Sequence, residues 1–195
     1  MLQLTADELP VSVDIADHSY PISVDFRDWI RVDLILKDPE IPEATKLPII
    51  CQFIGPELLM TQEPPEDLWA GIFSFYTCNR PYKEPPVTGT NDRTAYRFDK
   101  DWWLLYAAFR QQYGINLLTA RLHWFEFRAL MDGLTEDTQF IQVVQIRTRD
   151  TSKLKGEEKR QADRMERYWR IEDTAQDEER DPTEIEAELL AKIKD

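Results

Sequence analysis

The sequence predicts a mainly α fold: a helical bundle with a short N-terminal β-hairpin and a charged helical C-terminal extension. Alternating apolar residues are confined to residues 9–23, whereas apolar residues farther along recur at spacings of three and four. After residue 150 large apolar side chains become sparse and charges become dense. We therefore expect a helical domain at residues 1–150 and a charged, partly helical extension at residues 151–195.

The N-terminal segment predicts a β-hairpin over residues 9–23. Residues 16–19 have turn chemistry, and alternation resumes afterwards with Tyr20 and Ile22. The first strand places three β-branched residues on one face: Val11, Val13 and Ile15.

Three helices are predicted between the hairpin and a proline-rich segment. The first begins after Ser23 or Asp25 as its N-cap and runs to about Lys37. The second covers about residues 43–53. The third covers about residues 65–78, where prolines and acids favour the helix start.

A loop and three further helices follow. Residues 79–92 contain prolines and a glycine and have no packing period, so we expect a loop. The next helices cover about residues 100–113, which end before Gly114, and about residues 122–131. The last has Thr135 as its predicted N-cap and runs to about residue 149. The helix at about residues 100–113 is predicted to have one side that is almost entirely aromatic. That side carries Trp102, Leu105, Tyr106, Phe109 and Tyr113.

The C-terminal extension is divided by charge. Residues 151–170 hold seven Lys or Arg against four acids, and residues 171–195 hold three against ten. We expect a charged helix at 157–170 and a short amphipathic one at 183–192. Because helices shorter than about 12 residues are marginal in water, the short one is expected to dock or to fold on binding. The extension therefore suits a docking segment better than a core.

The net charge of −13 disfavours nucleic acid or an anionic membrane as the main partner, because phosphate binding needs clustered Lys and Arg. No apolar run approaches the roughly 18 residues of a membrane span, and the N-terminus lacks an export signal, so we expect a soluble, unexported protein.

The net charge of −13 also permits another interpretation, in which the chain is an acidic mimic of DNA. The acids are scattered between apolar positions, which disfavours that interpretation.

No constellation of residues predicts catalysis. His18 lies in the predicted hairpin turn, and His123 is expected to be stacked or hydrogen-bonded at a helix start rather than to act as a base. Cys51 and Cys78 lie in apolar segments and are expected to be buried, reduced thiols. We therefore expect a protein that is not an enzyme and has no cofactor and no metal site.

A few large apolar residues are candidates for partner contact. Trp103 lies off the aromatic side of its helix, so it either covers a neighbouring element or contacts a partner. The others belong to the C-terminal extension. The candidate partner-binding residues are Trp103, Met165, Trp169, Ile185, Leu189 and Leu190.

Several short motifs resemble, by their order and spacing, those of the bacteriophage gene-product-fifteen family. The resemblance covers about residues 9–149. The motifs are Tyr20-Pro21-Ile22 before Asp25-Phe26-Arg27, then Tyr113-Gly114-Ile115-Asn116-Leu117, Leu122-His123-Trp124 with Phe127, Gly133-Leu134, Glu136-Asp137-Thr138 with Phe140, and Ile146-Arg147.

This resemblance implies a place in the tail module of siphophages and prophages, and a role in tail morphogenesis. A tail assembly chaperone in the host cytoplasm, which keeps the tape-measure protein soluble or acts on the tail-tube protein, is the first expectation. A second tail assembly chaperone or another copy of this chain are further candidate partners. The alternative is a permanent component of the virion tail or of its initiator complex.

Overall fold

The computed structural model describes residues 9–80 and 94–171. Within these stretches it confirms the mainly helical class, the N-terminal hairpin and the charged C-terminal helix. The predicted helix at 183–192 and nearly all of the predicted loop at 79–92 lie outside the described residues. The elements in chain order are β1 (Ser12–Ile15), β2 (His18–Pro21), α1 (Phe26–Lys37), α2 (Glu43–Ile54), a 3₁₀ helix (Pro56–Met60), α3 (Pro65–Tyr76), α4 (Phe98–Tyr113), α5 (Trp124–Asp132), α6 (Gln139–Thr148) and α7 (Gly156–Trp169).

The hairpin is tighter than predicted. β1 and β2 pair antiparallel, with His18 already opposite Ile15, so the turn is shorter than the predicted residues 16–19. Ala16 takes a positive φ of 50°, which a two-residue hairpin turn requires. Val13 and Ile15 are buried, whereas Val11 precedes the strand and is 63% exposed. The buried face of the hairpin therefore starts at Val13, two residues after Val11.

The hairpin packs on α3 at a position that only glycine fits. A Cβ on Gly71 would lie 2.9 Å from Cγ1 of Ile15 and 3.4 Å from the carbonyl oxygen of Asp14. The absence of a side chain at Gly71 thus lets β1 approach the helix backbone.

Two of the predicted N-caps can be compared with the structure: Asp25 caps α1, whereas Thr135 does not cap α6. The Asp25 carboxylate accepts a hydrogen bond from the backbone N–H of Arg27, which identifies Asp25 as the N-cap of α1. Thr135 was predicted to cap α6, and this prediction was wrong. Its hydroxyl donates to the side chain of Gln112, and the helix begins only after Thr138, whose carbonyl accepts from Gln142.

An aromatic core surrounds α1, which contacts α2, α4 and α5. The ring of Trp29 stacks on Phe75 at 4.7 Å, and Phe26 stacks on Phe127 at 4.8 Å. Phe127 also stacks on Phe109 of α4 at 5.3 Å. The core therefore ties together helices that are far apart in sequence.

The buried side of α4 differs from the predicted aromatic side. Of the predicted set, Leu105 and Phe109 are buried, and the other three members are partly exposed. Phe98, Asp101 and Ala108 complete the buried face. The buried face of α4 is thus rotated relative to the predicted one. It includes Asp101 and Ala108, whereas Trp102, Tyr106 and Tyr113 lie at its edge.

The chain divides into two compact units. The first comprises residues 1–92 and 97–142, and the second comprises residues 93–96 and 143–195. The predicted domain boundary at residue 150 stays a prediction.

Candidate protein-interaction surface

The Asp-Phe-Arg motif at the start of α1 is a structural junction. Asp25 caps the helix, and Phe26 is fully buried. The Arg27 guanidinium donates to the carbonyls of Leu117 at 3.0 Å and Ala120 at 2.8 Å, and pairs with the Asp25 carboxylate. This motif thereby fastens α1 to the turn that follows α4.

His123 caps α5. Its Nδ1 accepts from the backbone N–H of Phe125 at 3.0 Å, and Glu126 accepts from the His123 backbone N–H, which completes a capping box. Nε2 lies 2.8 Å from the Pro10 carbonyl oxygen, which can only accept, so Nε2 carries the proton. The expectation of a hydrogen-bonded imidazole at a helix start is confirmed, and both ring nitrogens have structural partners.

Backbone hydrogen bonds join the two motif regions directly. Phe26 donates to the carbonyl of Leu122, and Trp124 donates to the carbonyl of Val24. The motifs at residues 25–27 and 122–124 therefore meet in the first unit, where they hold its core together.

Arg147 organises the described part of the second unit. Its side chain is 6% exposed. Nε donates to the Trp169 carbonyl at the end of α7 at 2.5 Å, and a terminal nitrogen donates to the Ala95 carbonyl at 3.2 Å. A buried guanidinium needs such acceptors, because an unpaired buried charge is costly. The pattern of the sequence does not predict this role for Arg147.

Residues of α6, of α7 and of the turn between them line an open groove. Its volume is about 340 Å³. Ile146, Ala162 and Met165 supply apolar surface, and Arg149 and Glu158 supply charges. Thr151 and Gln161 complete the lining. The arrangement offers an apolar strip with charged margins, which suits an amphipathic helix.

Two of the predicted partner residues, Met165 and Trp169, lie on α7. Met165 is 41% exposed and lies one turn from Trp169, which is partly buried. Tyr168 is 76% exposed and packs edge-on against Trp169 at 5.0 Å. Tyr168 was not among the predicted partner residues, although its position beside Trp169 on a helix with few apolar groups was a usable signal.

Trp103 lies in the first unit, on α4. It is 68% exposed, and its ring meets Tyr106 edge-on at 5.7 Å. Met165 and Trp169 thus share one helix, whereas Trp103 belongs to the other unit. The other three predicted partner residues, Ile185, Leu189 and Leu190, lie outside the described residues.

The described second unit is cationic within an acidic protein. Residues 143–171 hold nine Lys or Arg against five Asp or Glu, whereas the whole chain has a net charge of −13. In the turn between α6 and α7, the N–H of Ser152 donates to the Asp150 carboxylate and holds the pKa of Asp150 below its ordinary value. At the groove itself the two charged lining residues, Arg149 and Glu158, have opposite signs.

Burial raises the pKa of both cysteine thiols to about 11. Cys51 and Cys78 are buried and free, as predicted. Thiols with such pKa values are almost fully protonated near neutral pH, which makes them poor nucleophiles.

Neither a metal site nor a membrane span is found among the described residues. Residues 9–80 and 94–171 contain no group of three His, Cys, Asp or Glu side chains arranged to hold a metal ion. None of the described helices combines the length and the apolar character that a membrane span needs.

The comparisons with known proteins point to one family. No curated protein and no solved structure matches the chain significantly. A family model described as Bacteriophage Gp15 protein matches residues 5–171, which include every described element from β1 to α7. The chain belongs to the Bacteriophage Gp15 protein family.

Proposed function

We propose that this phage protein is a non-enzymatic tail assembly chaperone that acts on the tape-measure or tail-tube protein in the host cytoplasm. Its first unit is the rigid body. Its second unit, which includes the C-terminal residues, supplies the surface that binds the client.

One observation carries this proposal: α7 exposes two of its three large apolar or aromatic side chains. Among the described residues of this helix, Glu166 is the single buried side chain, whereas Met165 and Tyr168 are exposed. A helix of 14 residues with so little burial is close to the length at which isolated helices are marginal. Contact with a partner would bury this apolar side and stabilise the helix.

The kind of partner follows from the groove. An apolar strip with charged margins accepts a helix whose apolar residues recur at spacings of three and four. An elongated helical protein with exposed apolar stripes needs such cover before it assembles, because large exposed apolar patches promote aggregation. A tape-measure protein is a client of this kind, and the acidic charge of the chain would keep the complex soluble.

Co-expression with the tape-measure protein tests the proposal. The wild-type chain should raise the soluble fraction of the client and co-purify with it. Met165→Glu should weaken both effects, because it places a charge on the apolar strip. Arg167→Gln is the matched control, since it changes the net charge equally from the exposed side of the same helix. Equal behaviour of the two variants, or no effect of the wild-type chain, would refute the proposal.

A permanent place in the tail is the competing interpretation. Mass spectrometry of purified virions separates the two, because a chaperone leaves the assembled particle. Stoichiometric amounts of this chain in virions would support a structural component and contradict the chaperone.

A further inference from the structure

We propose that the groove on the second unit binds the same groove of a second copy of this chain, so that the free protein forms a two-fold symmetric dimer. Ile146, Ala162 and Met165 are the apolar residues of its lining, and Arg149 and Glu158 are the charged ones. All five belong to the second unit. The proposal concerns the chain alone, so it does not depend on which client the protein binds.

The two charges of the groove come from different elements and are unpaired. Arg149 follows the last residue of α6, whereas Glu158 lies in the first turn of α7. Both residues are exposed, and among the described residues neither has an ion-pair partner, nor do they pair with each other. By contrast, the neighbouring Glu157 pairs with Arg160 and Arg164. The apolar groove thus carries one unpaired charge of each sign.

A surface with one unpaired cation and one unpaired anion can complement itself under a two-fold rotation. In such an interface, a contact of one residue with a second residue is repeated with the two copies exchanged. Arg149 of each copy then faces Glu158 of the other, so one dimer contains this pair twice. Both charges are satisfied by the chain itself, whereas any other helix would need an acid and a base at matching positions.

Contacts at the groove decide this association more than the net charge does. Each copy has a net charge of −13, which opposes association at long range. At physiological ionic strength the screening length is about 8 Å, so exposed charges that are farther apart interact weakly. Pairs in direct contact across the interface keep most of their attraction. The dimer is therefore compatible with an acidic chain.

An exposed aromatic side chain continues the α7 side of the groove. Glu158, Gln161, Met165 and Tyr168 follow one another at spacings of three, four and three, so they lie on one side of the helix. Tyr168 is 76% exposed and Met165 is 41% exposed. When two copies of α7 lie antiparallel, Tyr168 of each approaches the first turn of the other. The dimer would bury both of these side chains, which adds apolar contact to the two charge pairs.

The small size of the groove predicts a weak dimer. Stable interfaces use roughly 20–30 residues on each side, and seven residues line this groove. The dimer should therefore dissociate on dilution, and a client that binds the groove more tightly should displace the second copy. Until then the free protein would cover its apolar strip, which favours solubility.

Sedimentation of the purified full-length chain over a range of concentrations tests the proposal. The average mass should rise from 23.1 kDa toward twice that value. Arg149→Glu alone and Glu158→Arg alone should each weaken self-association by about tenfold or more, because each creates two like-charge contacts in the dimer. Lys159→Glu is the matched control for Arg149→Glu. It changes the charge equally from an exposed position outside the lining, so it should leave self-association unchanged.

An equimolar mixture of the two single variants is the decisive measurement. Heterodimers should form about as tightly as the wild-type dimer, because an Arg149→Glu chain and a Glu158→Arg chain together restore both opposite-charge pairs. The double variant that carries both substitutions should also recover, with the sign of each charge exchanged. Recovery in the mixture shows in addition that the single variants are still folded.

Four outcomes would overturn the proposal. They are a wild-type chain that stays monomeric, a dimer that the single reversals leave intact, equal weakening by Lys159→Glu, and recovery in the double variant without recovery in the mixture. The last would place the Arg149–Glu158 pair within one chain. Client binding is measured separately by co-expression, so failure of the dimer and failure of the chaperone proposal are distinguishable.

Discussion

At the scale of single residues, His123 shows how a family motif stabilises the fold. Its ring accepts from the N–H of Phe125 and donates to the carbonyl of Pro10, so it joins the start of α5 to the segment before β1. The imidazole also lies edge-on to the ring of Phe125 at 5.2 Å. A residue type associated with catalysis therefore has a structural role at this position.

We predict that His123→Ala lowers the free energy of unfolding by about 1–2 kcal/mol, because it removes the cap of α5. His123→Asn should recover part of this loss, since the amide oxygen can accept the same N–H. Urea titration measures both. His18→Ala is the control, because the His18 side chain is 70% exposed, and its effect should be small. A loss for the Asn variant equal to that for Ala would contradict the capping role.

The two cysteines predict a pH dependence of stability. Burial raises the pKa of each thiol from 9.0 to about 11 in the folded protein. The folded state thus holds these protons more tightly than the unfolded state does. The resulting stabilisation is complete below about pH 9 and is lost as the pH rises through 11. The free energy of unfolding should therefore fall between pH 9 and 11.

A Cys51→Ala, Cys78→Ala double variant isolates this contribution from tyrosines and lysines that titrate in the same range. Its free energy of unfolding should fall less steeply between pH 9 and 11 than that of the wild-type chain. Parallel pH profiles would show that the thiols do not contribute.

At the scale of elements, the hairpin and α3 meet at Gly71. Alanine usually stabilises a helix interior relative to glycine by about 0.5–1 kcal/mol. Here we predict the opposite sign, because a Cβ would lie 2.9 Å from Cγ1 of Ile15. Thermal unfolding of Gly71→Ala should therefore show a lower Tm than the wild-type chain.

A double-mutant cycle with Ile15→Ala tests the cause. The second substitution removes the atom that the new methyl group meets, so Gly71→Ala should be less destabilising in the Ile15→Ala background. Additive effects would indicate that the Ile15 contact does not explain the destabilisation.

At the scale of the whole molecule, burial is unevenly shared between the helices. α1 buries Phe26, Trp29, Ile30, Val32 and Asp33, whereas Glu166 is the one buried residue among those described in α7. Stability within a protein follows such differences in buried contacts. The client surface that we propose thus lies on a weakly packed element, whereas α1 of the other unit is well packed.

We predict that amides of α7 exchange with solvent faster than those of α1. Arg147→Gln should accelerate exchange in α7 further, because it removes the bond to the Trp169 carbonyl, while α1 should be unaffected. Hydrogen exchange with mass spectrometry measures both helices in one experiment. Equal acceleration in α1 and α7 would mean that the substitution unfolds the chain globally.

The sequence by itself determined the class of the fold and most helix bounds, because these depend on signals within a few residues. Asp25 caps α1 and Gly114 ends α4 with a φ of 69°, both as predicted. Met165 and Trp169 stay predicted partner residues, proposed because large apolar groups stand out on a charged helix. The order and spacing of the motifs pointed to the phage family that the family comparison identifies.

Only the tertiary structure decided the roles that depend on distant partners. Thr135 does not cap α6, which begins only at Gln139; its hydroxyl and its backbone N–H both donate to the side chain of Gln112 on α4. Arg147 belongs to one of the motifs of the resemblance, but the motif alone does not show that its side chain is buried against the carbonyls of Ala95 and Trp169. Such roles arise from contacts between residues far apart along the chain, and no local pattern encodes which of them will meet.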